Sequence, residues 1–83
     1  MEFYLILARS VTYAQRMQSV LSRIGIRTQI YRAPRDLTDL GCAYILRLRT
    51  EDLTAALPAL RRAGLGPVQV YLQRDGDIQE VRT

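Results

Sequence analysis

The 83-residue chain has no histidine and no lysine, and its twelve basic residues are all arginine. Without imidazole there is no Ser-His or Cys-His dyad, no histidine-containing zinc cluster, and no side chain whose ordinary titration falls near pH 7. Without lysine there is no Schiff base and no phosphate-loop lysine. One cysteine, Cys42, is present, so no internal disulfide can form and no oxidising compartment is implied. Long apolar runs are missing too, as is a charged-then-apolar amino terminus, so the expectation is a cytoplasmic protein with no membrane span or signal peptide. No cofactor and no metal site is expected.

What is present fits one small domain over residues 1–83. A chain this short buries about 60 to 65% of the surface its unfolded form exposes, so its core is modest and can lean on a partner. Apolar residues make up 48% and charged residues 24%, ordinary for a globular fold, with a net charge of +4. The arginines are spread from Arg9 to Arg82 with no run longer than Arg61-Arg62. Arginine prefers bidentate anion contacts, so a basic surface can serve RNA, phosphates or an acidic partner, but the dispersion favours solvated faces.

The segment 4–31 aligns without gaps on 44–71, a shift of 40 residues. Tyr4 falls on Tyr44, Arg9 on Arg49, Gln29 on Gln69 and Tyr31 on Tyr71, and apolar pairs such as Met17/Leu57 and Val20/Leu60 coincide. Each half opens with an apolar run, residues 3–8 or 43–48, too short and too rich in strand formers for a helix. Ser10 or Thr50 follows, suited to cap a helix, and Glu51 and Asp52 favour the positive end of the second.

Helix one is predicted over 11–24, with an apolar stripe of Tyr13, Met17, Val20 and Ile24 flanked by Ala14 and Leu21. Helix two is predicted over 51–63, with Leu53, Ala56, Leu57 and Leu60. Gly25 and Gly64 end them. Pro58 opposes the second helix and predicts a kink or break at Leu57. Strands follow at 27–32 and 68–73. Strand-helix-strand repeated once gives a ferredoxin-like βαββαβ α+β sandwich: two helices on one face of an antiparallel sheet whose first and third strands are central. Asp75-Gly76 then predicts a carboxy-terminal hairpin over 68–82 with a short fifth strand, whose charges discourage runaway edge pairing.

The connection between strands two and three, 33–42, is long beside the other links, and extra length in a compact domain often marks function. It contains Pro34, Gly41 and Cys42. Here the chain resembles the family of small bacterial domains called selenium/sulfur carrier protein-like, whose motif is met by Pro34, Arg35, Leu37, Thr38, Gly41, Cys42, Ala43, Leu46 and Arg47. The resemblance spans Tyr4 to about Tyr71, including Ser10 and the Arg62-Ala63-Gly64-Leu65 close of helix two. Ala43 stands where the family usually has glycine, and the spacer Asp39-Leu40 is one residue longer than the common form.

The resemblance implies a carrier in which the Cys42 thiolate accepts a sulfane sulfur or selenium atom from a donor protein and passes it to an acceptor protein. Arg35 and Arg47, with backbone N–H groups near Gly41, are the candidate support for the thiolate and its anionic adduct. With no second cysteine, a partner must resolve the adduct, which points to a carrier or binding protein rather than a complete enzyme. The alternative is a non-catalytic interaction or regulatory module, forming a homodimer or binding a partner, with Cys42 as packing. RNA binding ranks third: Tyr4, Tyr31, Tyr44 and Tyr71 occupy equivalent strand positions, and on one sheet face they can stack bases, but the aromatic RNA-recognition pattern is absent and packing under the helices or in a dimer interface is the favoured reading of these tyrosines.

Overall fold

The computed structural model describes residues 1–34 and 43–82. Eight elements follow in order: β1 Glu2–Ala8, α1 Val11–Arg23, β2 Gln29–Arg32, β3 Tyr44–Arg49, a 3-10 turn Thr50–Asp52, α2 Leu53–Arg62, β4 Val70–Arg74 and β5 Asp77–Val81. The strands form one antiparallel sheet in the order β2-β3-β1-β4-β5, with β1 and β3 side by side in its interior. This is an α+β arrangement compatible with the ferredoxin-like sandwich, extended by an edge strand.

Alternation along the strands sorts side chains to two faces. Ile6, Ala8, Leu46, Leu48 and Val70 form one core with Ala14, Met17 and Leu21 of α1 and Ala56 and Leu60 of α2. Burying each large aliphatic side chain there contributes about 1.5–3 kcal/mol before conformational entropy is counted. Leu5, Ile45 and Tyr71 form a smaller cluster on the opposite, helix-free face, flanked by Leu7, Ala33 and Ile78. The four tyrosines therefore do not share a face. Tyr4 and Tyr44 pack on the helix-side core, whereas Tyr71 belongs to the other cluster. Tyr31 stands opposite Ile45 in the ladder and is 43% exposed.

Ser10 caps α1 as expected, its hydroxyl accepting from the Tyr13 N–H at 3.1 Å. Thr50 does not cap α2. It opens the 3-10 turn instead, and neither that turn nor α2 has a side-chain cap hydrogen bond. Glu51 and Asp52 pair with Arg49 at 3.7 and 3.3 Å. The expected break at Leu57 is absent: α2 continues through Pro58, its packed face held by the fully buried Ala56 and Leu60. Ile24, expected in the α1 stripe, is the C-cap and is 51% exposed, because the helix ends one residue before it.

Both helices close with the same hydrogen bonds. Ile26 N–H donates to Leu21 O and Gly25 N–H to Ser22 O, matched by Leu65 N–H to Leu60 O and Gly64 N–H to Arg61 O. Gly25 and Gly64 sit at φ 82° and 76°, which a Cβ would strain. These closures correspond at a spacing of 39 residues, as do the buried pairs Met17/Ala56 and Leu21/Leu60, whereas Leu5/Ile45 and Ile6/Leu46 in the strands correspond at 40. The helices thus match one residue out of step with the gapless alignment, and the residue is regained between Leu65 and Val70.

At the far end, Asp75 and Gly76 both have positive φ, 48° and 92°, and link Arg74 to Asp77 in a two-residue hairpin. β2 and β4 are shorter at their starts than predicted, beginning at Gln29 and Val70.

Candidate functional site

Of the predicted site residues, Arg35, Gly41 and Cys42 lie outside the described residues, and Arg47 lies within them. On either side of residues 35–42, Ala33 N–H donates to Ala43 O at 2.9 Å. That bond prolongs the β2–β3 ladder by one step beyond Arg32↔Tyr44. Ala43 is buried, so the residue directly after Cys42 is fixed in the sheet.

Arg47 projects from β3 on the helix-free face, four residues and about 13 Å of strand rise beyond Ala43. Its neighbours across the ladder are Leu5 on β1 and Gln29 on β2. Its guanidinium carbon lies 4.4 Å from the centre of the Phe3 ring and 5.2 Å from that of Tyr31, so two aromatic faces hold it by cation–π attraction. One of its terminal N–H groups donates to Gln29 Oε1. The same oxygen accepts from the Tyr31 hydroxyl at 2.7 Å. The sequence reading did not single out Phe3 or Gln29. Their signal is parity: once β1, β2 and β3 are neighbours, Phe3, Gln29, Tyr31 and Arg47 fall on one face.

This clamp borders a depression of about 200 Å³ lined by Phe3, Arg27, Thr28, Gln29, Arg47, Leu48 and Arg49. Further along the face, burial pushes the Tyr71 phenol above its ordinary pKa, and the Glu80 carboxylate opposite it adds to the effect. Among the described residues no group of three or more Asp, Glu, Cys or His side chains is placed to hold a metal ion. No helix among them is long and apolar enough to cross a membrane.

Residues 3–72 match the model of the family described as "Putative Se/S carrier protein-like". With 70 of 83 residues matched, the chain belongs to the Se/S carrier protein-like family. The match takes in β1 through most of β4 and the whole connection that carries Cys42, and leaves β5 outside it. No curated protein and no solved structure matches the chain.

Proposed function

We propose that the protein carries sulfur or selenium on Cys42, receiving the atom from a donor protein and delivering it to an acceptor protein. The observation that carries this reading is the family match over residues 3–72, which includes the Gly41-Cys42-Ala43 motif. In the sulfur case the Cys42 thiolate attacks the outer, sulfane sulfur of a donor persulfide. A new S–S bond forms at Cys42, the donor's S–S bond breaks, and the donor leaves as a thiolate. The acceptor's nucleophile then attacks the outer sulfur of the Cys42 persulfide and regenerates the Cys42 thiolate, with no net oxidation in either step.

Arg35 lies in the same connection and Gly41 directly precedes the cysteine. In this proposal Arg35 and the backbone N–H groups about Gly41 stabilise the thiolate and its anionic adduct. Arg47, about 13 Å along β3 from Ala43, contributes positive potential rather than contact.

The test is intact mass of the native protein after incubation with a persulfide donor, with alkylation of the thiol followed across pH. The expected result is an added mass of one sulfur on the native chain, lost in Cys42→Ser and removed by a thiol acceptor. A thiol that is alkylated only after unfolding and gains no mass overturns the reading.

A second reading is favoured by Tyr31, a large ring 43% exposed on the face that neither helix covers, beside Phe3 and Arg47. There the protein is an interaction module that self-associates or docks a partner through this face.

A further inference from the structure

We infer that the depression at the β2–β3 corner of the helix-free face is a binding site for a tetrahedral oxyanion, either free phosphate or the phosphoryl group of a larger molecule. The site lies toward the Arg49 end of β3, whereas the connection holding Cys42 enters β3 at Tyr44, and Arg47 is the residue this site shares with the carrier reading.

The inference rests on which hydrogen-bonding groups remain unused. Arg27, Arg47 and Arg49 all line the depression with Gln29. Arg47 donates to a neutral amide oxygen, and neither it nor Arg27 has a carboxylate within ion-pair distance among the described residues. Arg49 is the one cation there with acidic partners, Glu51 and Asp52. The Gln29 side-chain oxygen already accepts two hydrogen bonds, from Tyr31 and Arg47. Its amide nitrogen is therefore turned away from them, and what Gln29 has left to offer is a donor. Thr28, in the same wall, has a buried hydroxyl oxygen without a hydrogen-bond partner.

These groups define the ligand's chemistry. Two guanidinium groups without a carboxylate partner, those of Arg27 and Arg47, and an oriented amide are surplus donors, and the one side-chain amide acceptor among them is occupied. A ligand that satisfies such a set must accept on several sides and carry negative charge, which an oxyanion does and a cation or an apolar group does not. Arg47 is also preorganised: stacking on Phe3 and Tyr31 and the bond to Gln29 fix the plane of its guanidinium before any ligand arrives. A volume of about 200 Å³ accommodates a phosphoryl group and leaves the depression open to a larger ligand attached to it.

The experiment is an amide and arginine side-chain NMR titration of the whole chain with inorganic phosphate, at ionic strength held constant with chloride. A parallel titration uses adenosine monophosphate. Saturable shifts are expected at Gln29 Nε2–H and Arg47 Nε–H, with at least tenfold weaker binding in Arg47→Gln and less than a twofold change in Arg62→Gln. Arg62 is an exposed arginine at the end of α2 whose loss removes the same charge elsewhere. Gln29→Glu supplies a carboxylate beside Arg47 and is expected to abolish phosphate binding in a protein that still folds, which keeps the test decisive if Arg47→Gln is unstable. Equal affinity for the two probes identifies a free oxyanion as the ligand, and at least tenfold tighter binding of the nucleotide identifies a phosphorylated molecule. Non-saturating shifts with both probes, or equal weakening in Arg62→Gln and Arg47→Gln, overturn the site.

Discussion

Tyr71 is packed with Leu5 and Ile45 on the helix-free face and is 8% exposed. Its phenol loses hydration on folding and faces Glu80, so its pKa is raised in the folded protein, burial being the larger cause. The sign follows from which state releases the proton first. Above the unfolded value near 10 the unfolded chain ionises while the folded one holds its proton, so stability present below that pH is lost as pH rises through the folded value. Urea midpoints are therefore expected to be level with respect to this group up to about pH 10 and to fall above it, with the fall reduced in Tyr71→Phe. An identical alkaline slope in the variant removes this account.

At the level of single elements, the two helices start differently although their sequences look alike there. Ser10 stands outside α1 in extended conformation, φ −156° and ψ 164°, and its hydroxyl satisfies the Tyr13 N–H. Thr50 has turned one step earlier into a 3-10 turn, which puts its hydroxyl out of the capping position. Ser10→Ala should accordingly cost about 1 kcal/mol of stability by denaturant titration, and Thr50→Ala less than about 0.5 kcal/mol. Comparable losses in the two variants contradict the difference in capping. The helix ends, by contrast, are alike, since Gly25 and Gly64 close them with equivalent hydrogen bonds.

For the molecule as a whole, α1 and α2 pack on one face of the sheet, and on the other Leu5, Ile45 and Tyr71 are buried together while Tyr31 is exposed beside the Arg47 clamp. The module reading places an interface there. Sedimentation should then show mass rising with concentration, and Tyr31→Glu should weaken association at least tenfold by replacing the exposed ring with a carboxylate. A monomer at every concentration up to about 1 mM, a dissociation free energy of about 4 kcal/mol, dismisses self-association through this face. The carrier reading does not depend on that outcome, because its reacting atom lies in the connection between Ala33 and Ala43.

The sequence by itself determined the order of the elements, the pairing of β1 with β3 in the middle of the sheet, the Asp75-Gly76 hairpin and the glycine helix ends. Those features follow from local chemistry: alternation along a strand, recurrence along a helix, and backbone conformations that few residues adopt. The family motif was legible for the same reason, as a short run of residue types. Tertiary structure alone decided that Tyr4 and Tyr44 lie under the helices while Tyr31 and Tyr71 do not, that α2 passes through Pro58, and that Phe3, Gln29, Tyr31 and Arg47 converge. Phe3 and Arg47 are 44 residues apart in sequence and meet only because β1 lies beside β3. The register of that pairing is set by burial on the helix side, and it carries the polar side chains of the opposite face into contact as a consequence.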